Sequence, residues 1–79
     1  MVSPKHRNTV LHVKAVGLVR HIDVETGRPQ QNMRFVGRDA NHNILPEGER
    51  ISYHSFYIQQ LKDRALEPMD LATRKAAGL

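Results

Sequence analysis

With no cysteine among its 79 residues, the chain must hold its fold together by apolar packing. A chain this short buries only about 60% of the surface that its unfolded form exposes, so the core has to be thin. The missing thiols also exclude disulfide bonds, thiolate zinc sites and a cysteine nucleophile. The content of 39% hydrophobic and 25% charged residues is that of an ordinary globular domain. We therefore expect one small domain.

The first ordered segment is predicted to be a strand that starts at Thr9. Leu11, Val13 and Ala15 recur at every second position, with His12 and Lys14 between them. This alternation is typical of a strand with one buried face. The phase of the pattern changes at Gly17, which predicts a bend or bulge there before apolar residues continue to position 24.

Turn signals divide the middle of the chain. They are strongest in residues 25–29 with Gly27, in residues 39–43, and at Pro46 and Gly48. Glycine supplies positive φ angles and proline interrupts strand pairing, so these positions are predicted structural turns. Between them, residues 32–37 and 49–53 have the apolar alternation of two further short strands.

A helical pattern begins at Ser55, which is a candidate N-cap. The predicted helix ends near Arg64, and residues 65–67 then run extended before Pro68. Asp70 is a candidate cap for a last short helix that Gly78 closes.

These elements predict an α+β fold. We expect a small bent antiparallel sheet or a partly open SH3-like barrel of three to four strands, with one docked short helix and flexible termini. The domain prediction is a flexible basic arm over residues 1–8, a single β-rich domain over 9–67, and a short C-terminal helix or tail over 68–79.

The formal charge of +4 is concentrated near the N-terminus. Four basic residues and no acidic residue precede Asp23, whereas the rest of the chain carries eight of each sign; the four are Lys5, Arg7, Lys14 and Arg20. Such residues bind phosphates or acidic protein surfaces without reading sequence. A solvated basic tail is the alternative interpretation.

No pattern in the chain is typical of a catalytic or metal site. The five histidines lack metal-ligand spacing, and none of the three serines lies in a glycine-flanked nucleophile turn. Ser52 and Ser55 lie on either side of His54, but sequence neighbours seldom face each other for proton transfer. We predict no enzyme, no metal and no cofactor.

The four aromatic residues are predicted to be mainly core, because so thin a core needs large side chains. They are Phe35, Tyr53, Phe56 and Tyr57. The alternative is a stacking platform for single-stranded nucleic acid. Tyr53 and Tyr57 therefore join the four basic residues as candidate partner contacts.

The longest uncharged apolar run covers residues 15–19. It is far shorter than the roughly 20 residues of a membrane span, and too short for a signal peptide. We expect no membrane association.

Several short motifs resemble a family of small Mu-like prophage proteins of uncharacterised function. Residues 23–28 (DVETGR) and 44–49 (ILPEGE) are similar to its turn motifs, and the serines before Tyr57 and residues 61–66 (LKDRAL) to its helix start and tail. The likeness covers residues 23–67. The chain departs from the family by inserting residues 30–43, by having Arg64 and Ala65 where the family favours Gly-Asp, and by lacking its tryptophan.

The resemblance implies a structural or assembly role and no catalytic residues. We therefore predict a non-enzymatic phage or prophage protein that binds another virion protein, located in the host bacterial cytoplasm or in the virion. The alternative is a small basic nucleic-acid-binding module that uses the N-terminal basic region. Pairing of two copies through an exposed sheet edge is a further predicted interaction.

Overall fold

The computed structural model describes residues 9–23, 25–31 and 34–79. Their elements, in chain order, are β1 (Val10–Ala15), β2 (Glu49–Ser52), α1 (Ser55–Lys62), β3 (Leu66–Pro68) and α2 (Leu71–Ala76). The three strands form one antiparallel sheet in the order β2-β1-β3, with β1 in the centre. The mixed α+β fold and its small antiparallel sheet are therefore confirmed, and the sheet is open. The basic arm predicted over residues 1–8 lies outside the described residues.

The apolar alternation of β1 determines which face of the sheet is buried. Leu11 and Val13 are fully buried and Ala15 nearly so, while His12 and Lys14 lie on the other face and are partly exposed. The core between the sheet and α1 also contains Val19, Ile22, Val36, Ile51, Tyr57, Ile58, Leu61, Leu66 and Ala77. A single thin core thus joins the sheet, both helices and the segment between β1 and β2.

The two neighbours of β1 are offset along it. β2 pairs with Val10–Val13 and β3 with Val13–Ala15. The N-terminal half of β1 would lack a partner on the β3 side, but His12 donates its amide to Thr73 Oγ1 of α2 at 2.8 Å and accepts from the Met69 amide at 2.9 Å. Helix α2 therefore completes the sheet where β3 ends.

The same geometry explains why Pro68 is tolerated in β3. Both backbone groups of His12 point toward β3 and α2, so those of Val13 point toward β2. Val13 and Pro68 are then a non-hydrogen-bonded pair, in which proline's missing N–H is not needed.

Residues 16–48, which we call the connecting segment, differ from the prediction. A strand was predicted over 32–37, of which 32 and 33 lie outside the described residues. Residues 34–37 hold only an isolated bridge between Phe35 and Arg20, so for them the prediction was wrong. The physical reason is Gly37, whose φ of +72° turns the chain immediately after Val36. Its Cβ position lies against the backbone of Ala15, so only glycine fits there.

Both predicted helices are present, with one correction to the cap of α1 and one to the expected flexible C-terminus. The N-cap of α1 is His54 rather than Ser55: His54 Nδ1 accepts a hydrogen bond from the Phe56 amide at 3.0 Å, and Ser55 is the first helical residue. His54 is extended, which brings its ring nitrogen to the first turn. The second helix is capped by Asp70 as predicted, but it is not a loose end, because Thr73 and Ala77 are buried against the sheet.

Candidate binding groove

A groove of about 530 Å³ lies between the C-terminal end of α1, strand β3 and helix α2. Its lining combines apolar and charged side chains: Val16, Leu61, Leu66, Pro68 and Leu79 are apolar, Lys62, Arg64 and Arg74 are basic, and Glu67 is acidic. Pockets that hold ligands have volumes of about 300–1,000 Å³, so the groove is large enough for a short ligand segment.

The end of α1 brings two of the cations to the groove. Asp63 is the C-cap, and Arg64 follows it in the left-handed conformation with φ of +63°. The Arg64 amide donates to Leu61 O and the Ala65 amide to Gln60 O, which is the Schellman pattern. Glycine is the usual residue at this position because it has no Cβ. Here an arginine occupies it and lines the groove.

Helix α2 provides the opposite side of the groove. Asp70 accepts from the Thr73 amide at 2.8 Å and so fixes the start of the helix. Gly78, with φ of +74°, ends it, and the Leu79 amide then donates to Arg74 O at 2.9 Å. This turn places Leu79 beside Arg74 in the groove lining.

The three cations of the groove have no anionic partner within the described part of the chain. The ion pairs found there both involve Glu49, and Glu67 pairs with none of the three. Lys62, Arg64 and Arg74 are all exposed. The carbonyl groups of Gln59, Gln60 and Leu61 accept backbone amides at the end of α1. The groove therefore presents free positive charge beside apolar surface.

A second polar group, which we call the Glu49 cluster, lies at the start of β2. Glu49 Oε1 accepts from Arg34 Nη1 at 2.5 Å and from the Gly37 amide at 2.8 Å, and Oε2 lies 2.6 Å from His21 Nε2. The other ring nitrogen of His21, Nδ1, lies 2.6 Å from the Arg34 carbonyl oxygen. One carboxylate thus joins three parts of the connecting segment to the sheet.

The hydrogen-bond partners of Glu49 favour its ionised form. Both nitrogens of His21 lie within hydrogen-bond distance of oxygen atoms of the protein, the Arg34 carbonyl oxygen and Glu49 Oε2. Burial acts to raise the pKa of Glu49, but hydrogen bonds from Arg34, the Gly37 amide and His21 outweigh it, and the pKa lies below its ordinary value. Because both nitrogens are engaged, His21 has none left for a substrate while these bonds persist.

Of the six predicted contact residues, the four that the structure describes do not gather at one site. Lys5 and Arg7 lie outside the described residues. Lys14 lies on the outer face of the sheet opposite Glu67, and the Arg20 guanidinium lies 5.1 Å from the centre of the Phe35 ring.

The two tyrosines also differ from the predicted contact surface. Tyr57 is only 3% exposed, and its hydroxyl accepts from the Ile22 amide at 2.9 Å, so it belongs to the core and is not available to a partner. Burial raises its pKa, a hydrogen bond from Ile22 opposes this, and the charge of Glu49 adds to the increase. Tyr53 is half-buried and packs against the core.

The three predicted turn residues all lie in tight turns. Gly27 has φ of +72° and donates to Asp23 O at 2.6 Å. Pro46 lies in the turn that the Gly48 amide closes on Leu45 O at 3.0 Å. Gly48 has φ of +71°, and a Cβ there would overlap the Val13 carbonyl oxygen and the Met69 sulfur.

Within residues 9–23, 25–31 and 34–79, histidine, aspartate and glutamate side chains do not gather in a group of three or more that could hold a metal ion. Neither of the helices in this part of the chain is long and apolar enough to cross a bilayer.

Comparison with known proteins found no match: no family model, no curated protein and no solved structure is similar to this chain. The resemblance to Mu-like prophage proteins therefore stays a prediction.

Sequence reasoning missed the groove entirely. Its lining comes from residues far apart in the chain, and neither charge runs nor periodicity marks them. The departure at Arg64 from the glycine of the resembled family was the available signal, because an arginine at a helix C-terminal glycine position is uncommon.

Proposed function

We propose that this chain is a non-enzymatic protein-binding module that serves the assembly of a larger particle, as its resemblance to Mu-like prophage proteins implies. The observation that supports the proposal best is the open groove with Lys62, Arg64 and Arg74 unpaired beside apolar surface. Free cations next to exposed apolar side chains suit an acidic, partly apolar protein surface. The proposed location is the host bacterial cytoplasm or the virion.

The Glu49 cluster supports a binding role over a catalytic one. A general base needs a free nitrogen or oxygen within hydrogen-bond reach of its substrate. His21 is 7% exposed, and both of its ring nitrogens are used within the fold. Glu49 accepts three hydrogen bonds from the protein itself. The described residues thus use this histidine and carboxylate to hold the connecting segment.

The partly open barrel is part of the same proposal. Isolated antiparallel bridges join Arg20 to Phe35, Ile22 to Pro29 and Arg38 to Ile44. These bridges lie in the chain after β1, which ends at Ala15 and is followed by a bend, and they support a barrel-like closure of the sheet. A barrel of this kind offers its ends and grooves to partners.

Association with purified candidate phage head and tail proteins tests the proposal. We expect one of them to bind in surface plasmon resonance, and the Lys62→Glu/Arg74→Glu double variant to weaken that binding. Arg28→Glu/Lys75→Glu is the matched control, since it reverses two exposed charges outside the groove lining. Failure of every candidate to bind a folded, monomeric protein would contradict the proposal.

Self-association has to be measured in the same experiment. The backbone groups of Arg50 and Ser52 point away from β1, and they make no other backbone hydrogen bond with the described residues. Sedimentation velocity distinguishes a dimer that pairs along this edge of β2 from a monomer.

A further inference from the structure

The groove carries a more specific inference, which rests on the proposed function and names the partner's chemistry. We propose that the groove binds an acidic, amphipathic peptide segment in which carboxylates lie on either side of one or two aliphatic side chains. Arg64 is the residue that determines this specificity.

The charge of the groove selects an anionic ligand. Three cations and one carboxylate line it, a net charge of +2, and none of the cations is paired among the residues that the structure describes. Two of the three are arginines. A guanidinium binds a carboxylate through two parallel hydrogen bonds, which gives geometric selectivity as well as attraction.

The apolar part of the groove determines which ligand side chains fit beside the carboxylates. Val16 and Leu79 are 51% and 53% exposed, so about half of each side chain lies open to solvent beside the cations. An aliphatic side chain from a ligand would cover this surface. None of the described lining residues is aromatic, so the groove offers no ring on which a nucleic-acid base would stack. The groove therefore favours a peptide over a nucleic acid.

Arg64 occupies a position that its backbone conformation reserves for glycine. Its φ of +63° is disfavoured for any residue with a Cβ, and its side chain has no partner within the described fold. The fold does not need an arginine in this conformation, yet Arg64 is exposed and lines the groove. Replacing Arg64 by glycine removes the charge and also the unfavourable backbone conformation. A loss of binding by this variant is therefore not explained by a loss of stability.

The test uses fluorescence anisotropy with the whole protein and labelled hexapeptides. The acidic probe is acetyl-DELLDE-amide. The comparison probes are NQLLNQ without charge, KKLLKK with reversed charge, DEGGDE without the aliphatic pair, and a single-stranded oligonucleotide. We expect the acidic probe to bind at least about tenfold more tightly than each of the others.

Arg64→Gly should weaken binding of the acidic probe about tenfold while the melting temperature stays the same or rises. The matched control is His42→Gly, because His42 is the other described non-glycine residue with positive φ, at +67°, and lies outside the groove lining. That variant should bind like the wild type. Arg64→Lys should bind with intermediate affinity, because an ammonium keeps the charge but loses the paired hydrogen bonds.

Three results would overturn the inference. The first is that the acidic probe binds no more tightly than the comparison probes. The second is that Arg64→Gly binds the acidic probe as tightly as the wild type does. The third is that the oligonucleotide binds more tightly than the acidic peptide and that this binding depends on Arg64. The proposed function is tested separately: a head or tail protein that binds Arg64→Gly as well as the wild type would preserve the assembly role and place the contact on another surface.

Discussion

The sheet with its two helices and the connecting segment are stabilised in different ways. Backbone ladders order the sheet, and apolar side chains such as Leu11 and Leu61 fill its inner face. Among its described residues, the connecting segment has only isolated bridges, and polar side chains add to the buried Val19, Ile22 and Val36 in holding it to the sheet. Glu49 accepts from three donors, and Arg38 donates to the carbonyl groups of Val16, Gly17 and His42. A single small domain therefore has one part that is ordered mainly by backbone ladders and another in which charged side chains provide many of the links.

The largest expected effect comes from Gly48→Ala, at the junction of the two parts. The new Cβ would overlap the Val13 carbonyl oxygen and the Met69 sulfur, and the φ of +71° disfavours alanine as well. We expect no cooperative thermal unfolding by circular dichroism. Gly27→Ala is the control, because its Cβ would meet no atom within 4 Å and should cost only about 1 kcal/mol. A Gly48→Ala protein that melts like the wild type would show that the junction is not tightly packed.

Glu49→Gln should destabilise the protein by about 1.5–3 kcal/mol, the range for hydrogen bonds to a charged group, because Glu49 is partly exposed and Arg34 more so. The loss should be concentrated in the connecting segment. The Gly37 amide donates a hydrogen bond to Glu49 Oε1. Its hydrogen exchange should therefore accelerate more than that of the Leu11 amide in the sheet. Glu47→Gln, at an exposed turn, is the control and should change little. Equal acceleration at both amides would mean that the two parts unfold together.

The same variant has a pH signature. The folded pKa of Glu49 is depressed, so its stabilising contribution is fully present above the ordinary carboxylate pKa and is lost as pH falls through the folded value. The wild type should therefore lose more stability than Glu49→Gln between neutral and acid pH in urea titrations. The pH dependence of stability that remains in Glu49→Gln comes from other groups, since hydrogen bonds also lower the pKa values of Asp39 and Asp70. Parallel slopes for the two proteins would contradict this assignment.

Thr73→Val tests the sheet side and should cost about 1–2 kcal/mol, because the His12 amide then loses its acceptor inside the fold. Thr73 is fully buried, and valine has nearly the same shape. Thr26→Val is the matched control at an exposed turn, with an expected change within about 0.5 kcal/mol. Chemical denaturation measures both. A neutral Thr73→Val would mean that α2 contributes little to completing the sheet.

The smallest effect is expected from relieving the two left-handed residues. Arg64→Gly should stabilise the protein by about 1 kcal/mol, because glycine has no Cβ penalty there. His42→Gly should stabilise it less, since it also removes a ring whose centre lies 5.2 Å from that of Phe35. Differential scanning fluorimetry at several protein concentrations ranks the two. A destabilised Arg64→Gly would show that the arginine side chain supports the fold.

Local sequence patterns predicted β1 and both helices, because apolar periodicity and capping residues lie close together in the chain. The alternation of Leu11, Val13 and Ala15 predicted β1, and the spacing of Asp70 and Gly78 predicted α2. The N-cap of α1 was assigned one residue late, because a histidine ring nitrogen is a less common cap than a serine hydroxyl.

The sequence did not predict the Glu49 cluster or the groove, because each brings together residues that lie far apart in the chain. Glu49 meets His21 across 28 residues and Arg34 across 15, and nothing in the local pattern reports such pairings. The groove likewise joins Val16 to the ends of both helices. Strand formation at residues 34–37 failed because of the turn that Gly37 makes against Ala15.

A ribosome making this chain releases β1 long before the residues that flank it in the sheet. The Thr73 hydroxyl, which accepts the His12 amide, lies 61 positions beyond His12. The sheet is therefore complete only after Thr73 has been made, and β1 lacks part of its partners until then. The polar His12 and Lys14, set between its apolar residues, are what limits its aggregation in that interval.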